Sequence, residues 1–201
     1  MRALYVTHPQ VQIDANVPVP LWGLSQDGRL RAEAFAARCV VPDGAMIFSS
    51  SETKAMQLAT ILAEPIGATV VSTHTMGEND RSATGFLPPT QFEEMADRFF
   101  ARPEVSAQGW ERAIDAQARI VAAVQAALET VPAGVPAVFC GHGAVGTLLK
   151  CHVGRRAIAR SEDQSRHAHR GGGNCFAFDL DAMKLGGEWA AMEDFAPGWF
   201  R

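Results

Sequence analysis

The feature that most constrains the fold is an alternation. Four short apolar runs, residues 3–6, 45–48, 69–72 and 137–140, are each followed by polar loop residues and then a helical pattern. Brief apolar runs bounded by polar residues read as buried strands. Helix-spaced apolar residues follow at 30–37, 52–64, 91–101, 110–130 and 143–153, with Ser25 expected to cap the first helix. Parallel strands need long crossovers, so this alternation implies a mostly parallel sheet covered by helices on both faces. The expected fold class is therefore α/β, a three-layer α/β/α arrangement closed by a last strand at 175–180. The first helix is expected to bury Leu30, Ala34, Phe35 and Ala37. The long alanine-rich helix is expected to bury Ile114, Ala118, Val121, Val124, Ala127 and Leu128.

At 201 residues the chain suits one domain, expected over 1–201, with residues 76–110 as a small helical cap or insertion. A hydrophobic fraction of 47% and a charged fraction of 20% exclude a disordered chain. The net charge of -4, with scattered Lys and Arg, lacks the basic footprint of a nucleic-acid binder. No apolar run approaches the roughly 18 residues of a membrane span, and the first residues do not form a signal sequence, so the cytoplasm is expected. The four cysteines, Cys39, Cys140, Cys151 and Cys175, are far apart and read as reduced thiols. The sequence leaves the oligomeric state open, a homodimer included.

In parallel α/β sheets, reactive groups gather just beyond the carboxyl ends of the strands. Thr7 and His8 follow the first strand, Ser49 to Lys54 the second, the Glu78 region the third, and Gly141, His142 and Gly143 the fourth. Two histidines at equivalent strand ends point to phosphoryl transfer through nitrogen. One imidazole can attack phosphorus, a second, charged, can clamp the phosphoryl oxygens, and a carboxylic acid can protonate the leaving oxygen.

The segments VTHPQ with LSQDGRLRAEAFA, IFSSSETKAMQLATIL, VFCGHGAVGTLL and NCFAFDLD, in this order, resemble the histidine phosphatase (phosphoglycerate mutase-like) superfamily over nearly the whole chain. The resemblance implies that His8 is the phosphoryl-carrying nucleophile and His142 the second, phosphate-clamping histidine. It implies Glu78 as general acid, with Asp80 the competing carboxylate. Phosphate contacts are expected from Thr7, Lys54, Ser49 and Gly143, with Arg81 as a replacement cation. No metal or cofactor is implied, and the partner expected is a phosphorylated small molecule or other anionic substrate.

The chain also departs from the family pattern. Thr7 stands where an arginine is expected before the nucleophile, Pro9 where a glycine follows it, and Lys54 where the second element carries arginine. Arginine binds two phosphate oxygens through a planar fork, whereas lysine is a point charge and threonine a neutral hydrogen bonder. Proline removes a backbone N–H. Two readings stand: a phosphomonoester hydrolase acting through phospho-His8, with reduced or altered activity, and a degenerate member that binds phosphate without turnover. A remote third reading takes residues 141–146, which spell GxGxxG with Glu162 or Asp163 about 20 residues on, as a dinucleotide fingerprint. His167 and His169, flanked by Arg166 and Arg170, are expected in a solvated loop running to the glycines at 171–173.

Overall fold

Side chains alternate faces along a strand, and here the alternation sorts the core into two layers. Ala3, Tyr5, Phe48, Phe139, Phe176 and Phe178 face one way, and Leu4, Val6, Ile47, Val138 and Cys140 the other. The computed structural model describes residues 2–200. Its elements are β1 (Arg2–Thr7), α1 (Gln26–Ala37), β2 (Met46–Ser50), α2 (Thr53–Ala63), β3 (Val70–Thr73), α3 (Pro89–Ala101), α4 (Ala113–Leu128), β4 (Ala137–Gly141), α5 (Gly143–Val153), α6 (Gln164–His167), β5 (Asn174–Asp179), β6 (Lys184–Leu185) and β7 (Ala190–Ala191).

The sheet order is β3-β2-β4-β1-β5-β6, with β7 also paired to β5. The first four strands in that order are mutually parallel. β5 runs antiparallel to β1, and β6 and β7 antiparallel to β5. Helices α1 and α2 cover one face, and α3, α4 and α5 the other. The result is the expected three-layer α/β fold, with a mixed sheet that is parallel over β3, β2, β4 and β1 and antiparallel beyond. The strand that follows α5 is antiparallel, so residues 141–146 do not open the βαβ unit that a dinucleotide site requires.

Two expected helix faces are rotated. In α1 the buried residues are Gly28, Ala32 and Phe35, whereas Leu30 is 56% exposed. The cause is a backbone contact: a Cβ at Gly28 would lie 2.1 Å from the Gln10 carbonyl oxygen, so the helix docks on its glycine edge. Ser25 caps it as expected, its Oγ accepting from the Gly28 N–H at 3.1 Å. In α4 the buried stripe is Ala113, Ala116, Ile120, Val124 and Leu128. Alanine is apolar on every side of that helix, so periodicity alone did not select the face.

The segment around His167 is ordered by hydrogen bonds. Asp163 caps α6 by accepting from Ser165, Asn174 Nδ2 donates to the His169 carbonyl, and the Gly173 N–H donates to the His8 carbonyl at 3.0 Å. Gly172 and Gly173 have φ of +74° and +68°, a region glycine reaches without strain.

Candidate active site

Register explains why two histidines 134 positions apart in the chain meet. β1 and β4 are parallel neighbours with Thr7 opposite Gly141, and the His8 N–H donates to the Gly141 carbonyl at 2.9 Å. His8 and His142 are each the first residue beyond these paired ends. Neighbouring strands lie about 4.8 Å apart, and the two imidazole centroids are 5.3 Å apart, roughly edge to face.

His8 Nδ1 lies 2.9 Å from the carbonyl oxygen of Pro9. A carbonyl can only accept, so this bond places the proton of the neutral ring on Nδ1 and leaves the Nε2 lone pair free. Pro9 thus supplies the acceptor that orients the imidazole, although it has no N–H of its own. Burial, with smaller contributions from Lys54 and Arg81, pushes the His8 imidazole down to about 4, against the opposing influence of the Pro9 hydrogen bond and of Glu52. The ring is therefore neutral across the ordinary pH range.

His142 is fully buried. Its Nε2 is 2.8 Å from Ser50 Oγ and 3.5 Å from Glu52 Oε1, while its Nδ1 has no hydrogen-bond partner. Ser50 Oγ accepts from the Glu52 N–H at 3.2 Å and keeps both a proton and a second lone pair, so it can serve His142 Nε2 in either tautomer. A buried, unpaired ring nitrogen is costly unless something satisfies it, and a ligand oxygen would do so once that nitrogen carries a proton. Burial holds the His142 imidazole well below its ordinary value, outweighing the nearby Glu52 carboxylate.

Glu52 sits at the N-cap of α2, and its two oxygens serve three partners. Oε1 accepts from the Glu78 N–H at 2.8 Å and faces His142, while Oε2 pairs with Lys54 Nζ. Burial alone would raise this carboxyl, but His142 and Lys54 overcome it and hold it at about 2. Lys54, 3% exposed, also donates to the Val19 carbonyl at 2.9 Å and so ties the loop after β1 to the site.

Glu78, from the loop after β3, projects its carboxylate to the N-terminus of α5. It accepts from the Val145 N–H at 3.1 Å and the Ala144 N–H at 3.3 Å, directly behind His142. Helix N-termini favour such negative groups. Arg119 on α4 fixes the loop by donating to the carbonyls of Thr75, Gly77 and Glu78. Asp80 turns to solvent instead, where hydrogen bonds to Ser82 hold its carboxyl low. Arg81 lies over the rings of Phe92 and Trp110, at 5.1 and 5.6 Å from their centroids, near enough for its charge to act on both histidines.

Among the residues singled out in sequence, the fold brings His8, His142, Lys54 and Glu78 together, with Arg81 alongside. Thr7 and Ser49 do not enter as free donors. Thr7 is fully buried, donates to Gln164 Oε1 at 2.7 Å and accepts from the Asn174 N–H at 2.9 Å. Ser49 Oγ donates to the Ser50 carbonyl at 2.8 Å. Gly143 opens α5, where a Cβ would lie 2.3 Å from Gln164 Nε2. Gly141 and Gly146 similarly leave room for the Tyr5 ring, so protein side chains fill the space beside these glycines. Sequence reading missed Ser50, Glu52 and Gln164. Ser50 was legible, because it shares the face of Phe48 two residues earlier; Gln164 carried no local signal. Among the described residues no group of three or more His, Cys, Asp or Glu side chains could hold a metal ion, and no helix is long and apolar enough to cross a membrane.

These features define a class of α/β protein with paired histidines just beyond the carboxyl ends of neighbouring parallel strands. The family comparison makes it specific: the model of the histidine phosphatase superfamily (branch 1) matches residues 9–170, and the chain belongs to that superfamily. No curated protein matches its sequence. Among solved structures, a mycobacterial glucosyl-3-phosphoglycerate phosphatase is similar at 19% identity, covering 88% of each chain with a TM-score of 0.71. The same enzyme in complex with inorganic phosphate is 20% identical over 94% of this chain and 93% of its own, also at 0.71. YhfR from Bacillus stearothermophilus is 17% identical over 92% of this chain and 93% of its own, at 0.73. At these identities the structural likeness is one of fold.

Proposed function

We propose that the chain hydrolyses phosphomonoesters through a phosphohistidine on His8. The observation that carries this reading is the state of the imidazole pair. His8 has Nδ1 fixed on the Pro9 carbonyl and Nε2 free, beside a buried His142 whose Nδ1 lacks a partner. In the first step the Nε2 lone pair forms a bond to phosphorus as the bond to the ester oxygen breaks, and Glu78, as the acid, gives that oxygen its proton. In the second, water attacks the phosphohistidine, Glu78 takes the water's proton, and the N–P bond breaks to release phosphate and neutral His8. His142 Nδ1–H would hold a phosphoryl oxygen, and Glu52 would stabilise that ring as charge gathers on it. Lys54 and Arg81 supply the remaining positive charge.

A second reading, an anion-binding protein without turnover, is favoured by one observation. Lys54 and Thr7, two of the expected phosphate contacts, are both engaged within the protein. Wild type and His8→Ala incubated with an aryl phosphate between about pH 5 and 7.5 separate the two. The hydrolase reading expects His8→Ala to lose activity by at least the order of 1000-fold. Equal background rates from both proteins would leave only the binding reading.

A further inference from the structure

Glu52 is an unusual resident for a pocket read as binding phosphate. Its carboxylate is only 14% exposed, and it sits between the two groups expected to meet the phosphoryl oxygens, Lys54 through Oε2 and His142 through Oε1. We infer that Glu52 is a built-in counter-ion of this pocket and makes it select singly charged phosphoryl groups over doubly charged ones. The inference rests on the pocket being the one assigned above, and concerns its binding, not its turnover.

The charges facing the pocket can be named element by element. His8 comes from the end of β1 and Lys54 from α2. Glu78 and Arg81 come from the loop after β3, and His142 from the end of β4. Arg119 of α4 is occupied with Glu111 and the carbonyls of that loop. Both histidines are neutral without ligand, for the burial reasons given above. The mobile positive charge is thus Lys54 and Arg81, and Lys54 is neutralised in place by Glu52. A doubly charged phosphoryl group must draw Lys54 off Glu52, or approach an ionised carboxylate in a poorly solvated site. Like charges at such range strongly disfavour each other. A phosphoryl group carrying one proton can instead donate it to Glu52, turning a repulsion into a short, charge-assisted hydrogen bond. The ligand class that fits is a phosphomonoester in its monoanionic form, which keeps the P–OH proton that a phosphodiester lacks.

Calorimetric titration of the full chain with inorganic phosphate, at about pH 5.5 and pH 8.5, tests this without any turnover. Sulfate, doubly charged at both values, reports changes in the protein's own groups. Wild type is expected to bind phosphate at least about tenfold more tightly at the lower pH, where the ligand is mostly singly charged, with no comparable gain for sulfate. Glu52→Gln keeps an acceptor for the Glu78 N–H but removes the charge. It is expected to bind phosphate about tenfold more tightly than wild type at pH 8.5 and to flatten the pH dependence. Wild-type affinity equal at both pH values overturns the inference whether or not the variant folds. So does a Glu52→Gln protein that matches wild type within about twofold at pH 8.5, or one that binds phosphate at neither pH. Because hydrolysis is read separately with His8→Ala, an active enzyme with an unmoved binding profile defeats the counter-ion alone. A shifted profile in a protein without turnover defeats the hydrolase alone.

Discussion

A single carbonyl decides which nitrogen of His8 is available. Because Pro9 O occupies Nδ1, nucleophilic character falls to Nε2 whenever the ring is neutral. With the free imidazole held at about 4, the acid limb of kcat/KM is expected to fall as pH drops through that value, since protonation removes the attacking lone pair. Lys54 depresses His8 and Glu52 raises it, so Lys54→Met removes the first influence and leaves the second uncompensated. The acid limb should therefore move to higher pH in that variant. A kcat/KM profile with an unmoved or lowered acid limb would show that Lys54 does not act on His8 through its charge.

Among the elements, α1 is the clearest case of a helix positioned by backbone contact. Alanine is ordinarily better than glycine inside a helix by about 1 kcal/mol. At Gly28 the sign should reverse, because the added Cβ would meet the Gln10 carbonyl, which belongs to the loop that follows His8. Gly28→Ala is expected to destabilise the protein by about 3 kcal/mol, the upper range of overpacking, measured by urea denaturation. A variant as stable as wild type would mean that α1 can slide away from this loop freely. The same helix shows how far sequence carries. Its existence and its Ser25 cap were legible, since both depend on neighbours in the chain. Its buried face was not, because the contact with Gln10 is tertiary. The strand-end histidines were legible for a similar reason: a rule about parallel sheets converts position in an element into position in space. Glu52 was legible only as the first residue of a helical pattern, because its bonds to Lys54 and to the Glu78 N–H are set by the fold. Gln164 reaches Thr7 across 157 positions, and no local pattern reports such a bond.

For the whole molecule, two buried neutral imidazoles carry a pH dependence of stability. His8 and His142 titrate below the unfolded value of about 6.5, so the unfolded chain binds more protons between 6.5 and the folded values. Their contribution is fully present above about pH 6.5 and is lost as pH falls toward 4, at up to about 1.4 kcal/mol per pH unit for each ring. The depressed carboxylates, Glu52 among them, act only lower, below the unfolded carboxyl range. The window between pH 5 and 6.5 therefore reports mainly on histidine. Wild type should show a falling urea midpoint across that window, and His142→Asn a shallower fall. Parallel curves for the two proteins would remove His142 from the account.

The position of β1 bears on how the chain is made. It lies inside the sheet, between β4 and β5, yet it is synthesised before either of them. Its partners begin at Ala137 and Asn174, so the His8 loop cannot acquire its hydrogen bonds to Gly141 and Gly173 until those distant segments exist. At a translation rate of about 5 to 20 residues per second, β1 waits on the order of ten seconds or longer with both edges unsatisfied. Such long-range pairing slows folding and leaves an apolar strand open to wrong partners meanwhile. Segments made early can pair sooner, β2 with β3 across α2 first among them. His8, made well before the segments that hold it, would then reach its final geometry later than the residues around β2 and β3.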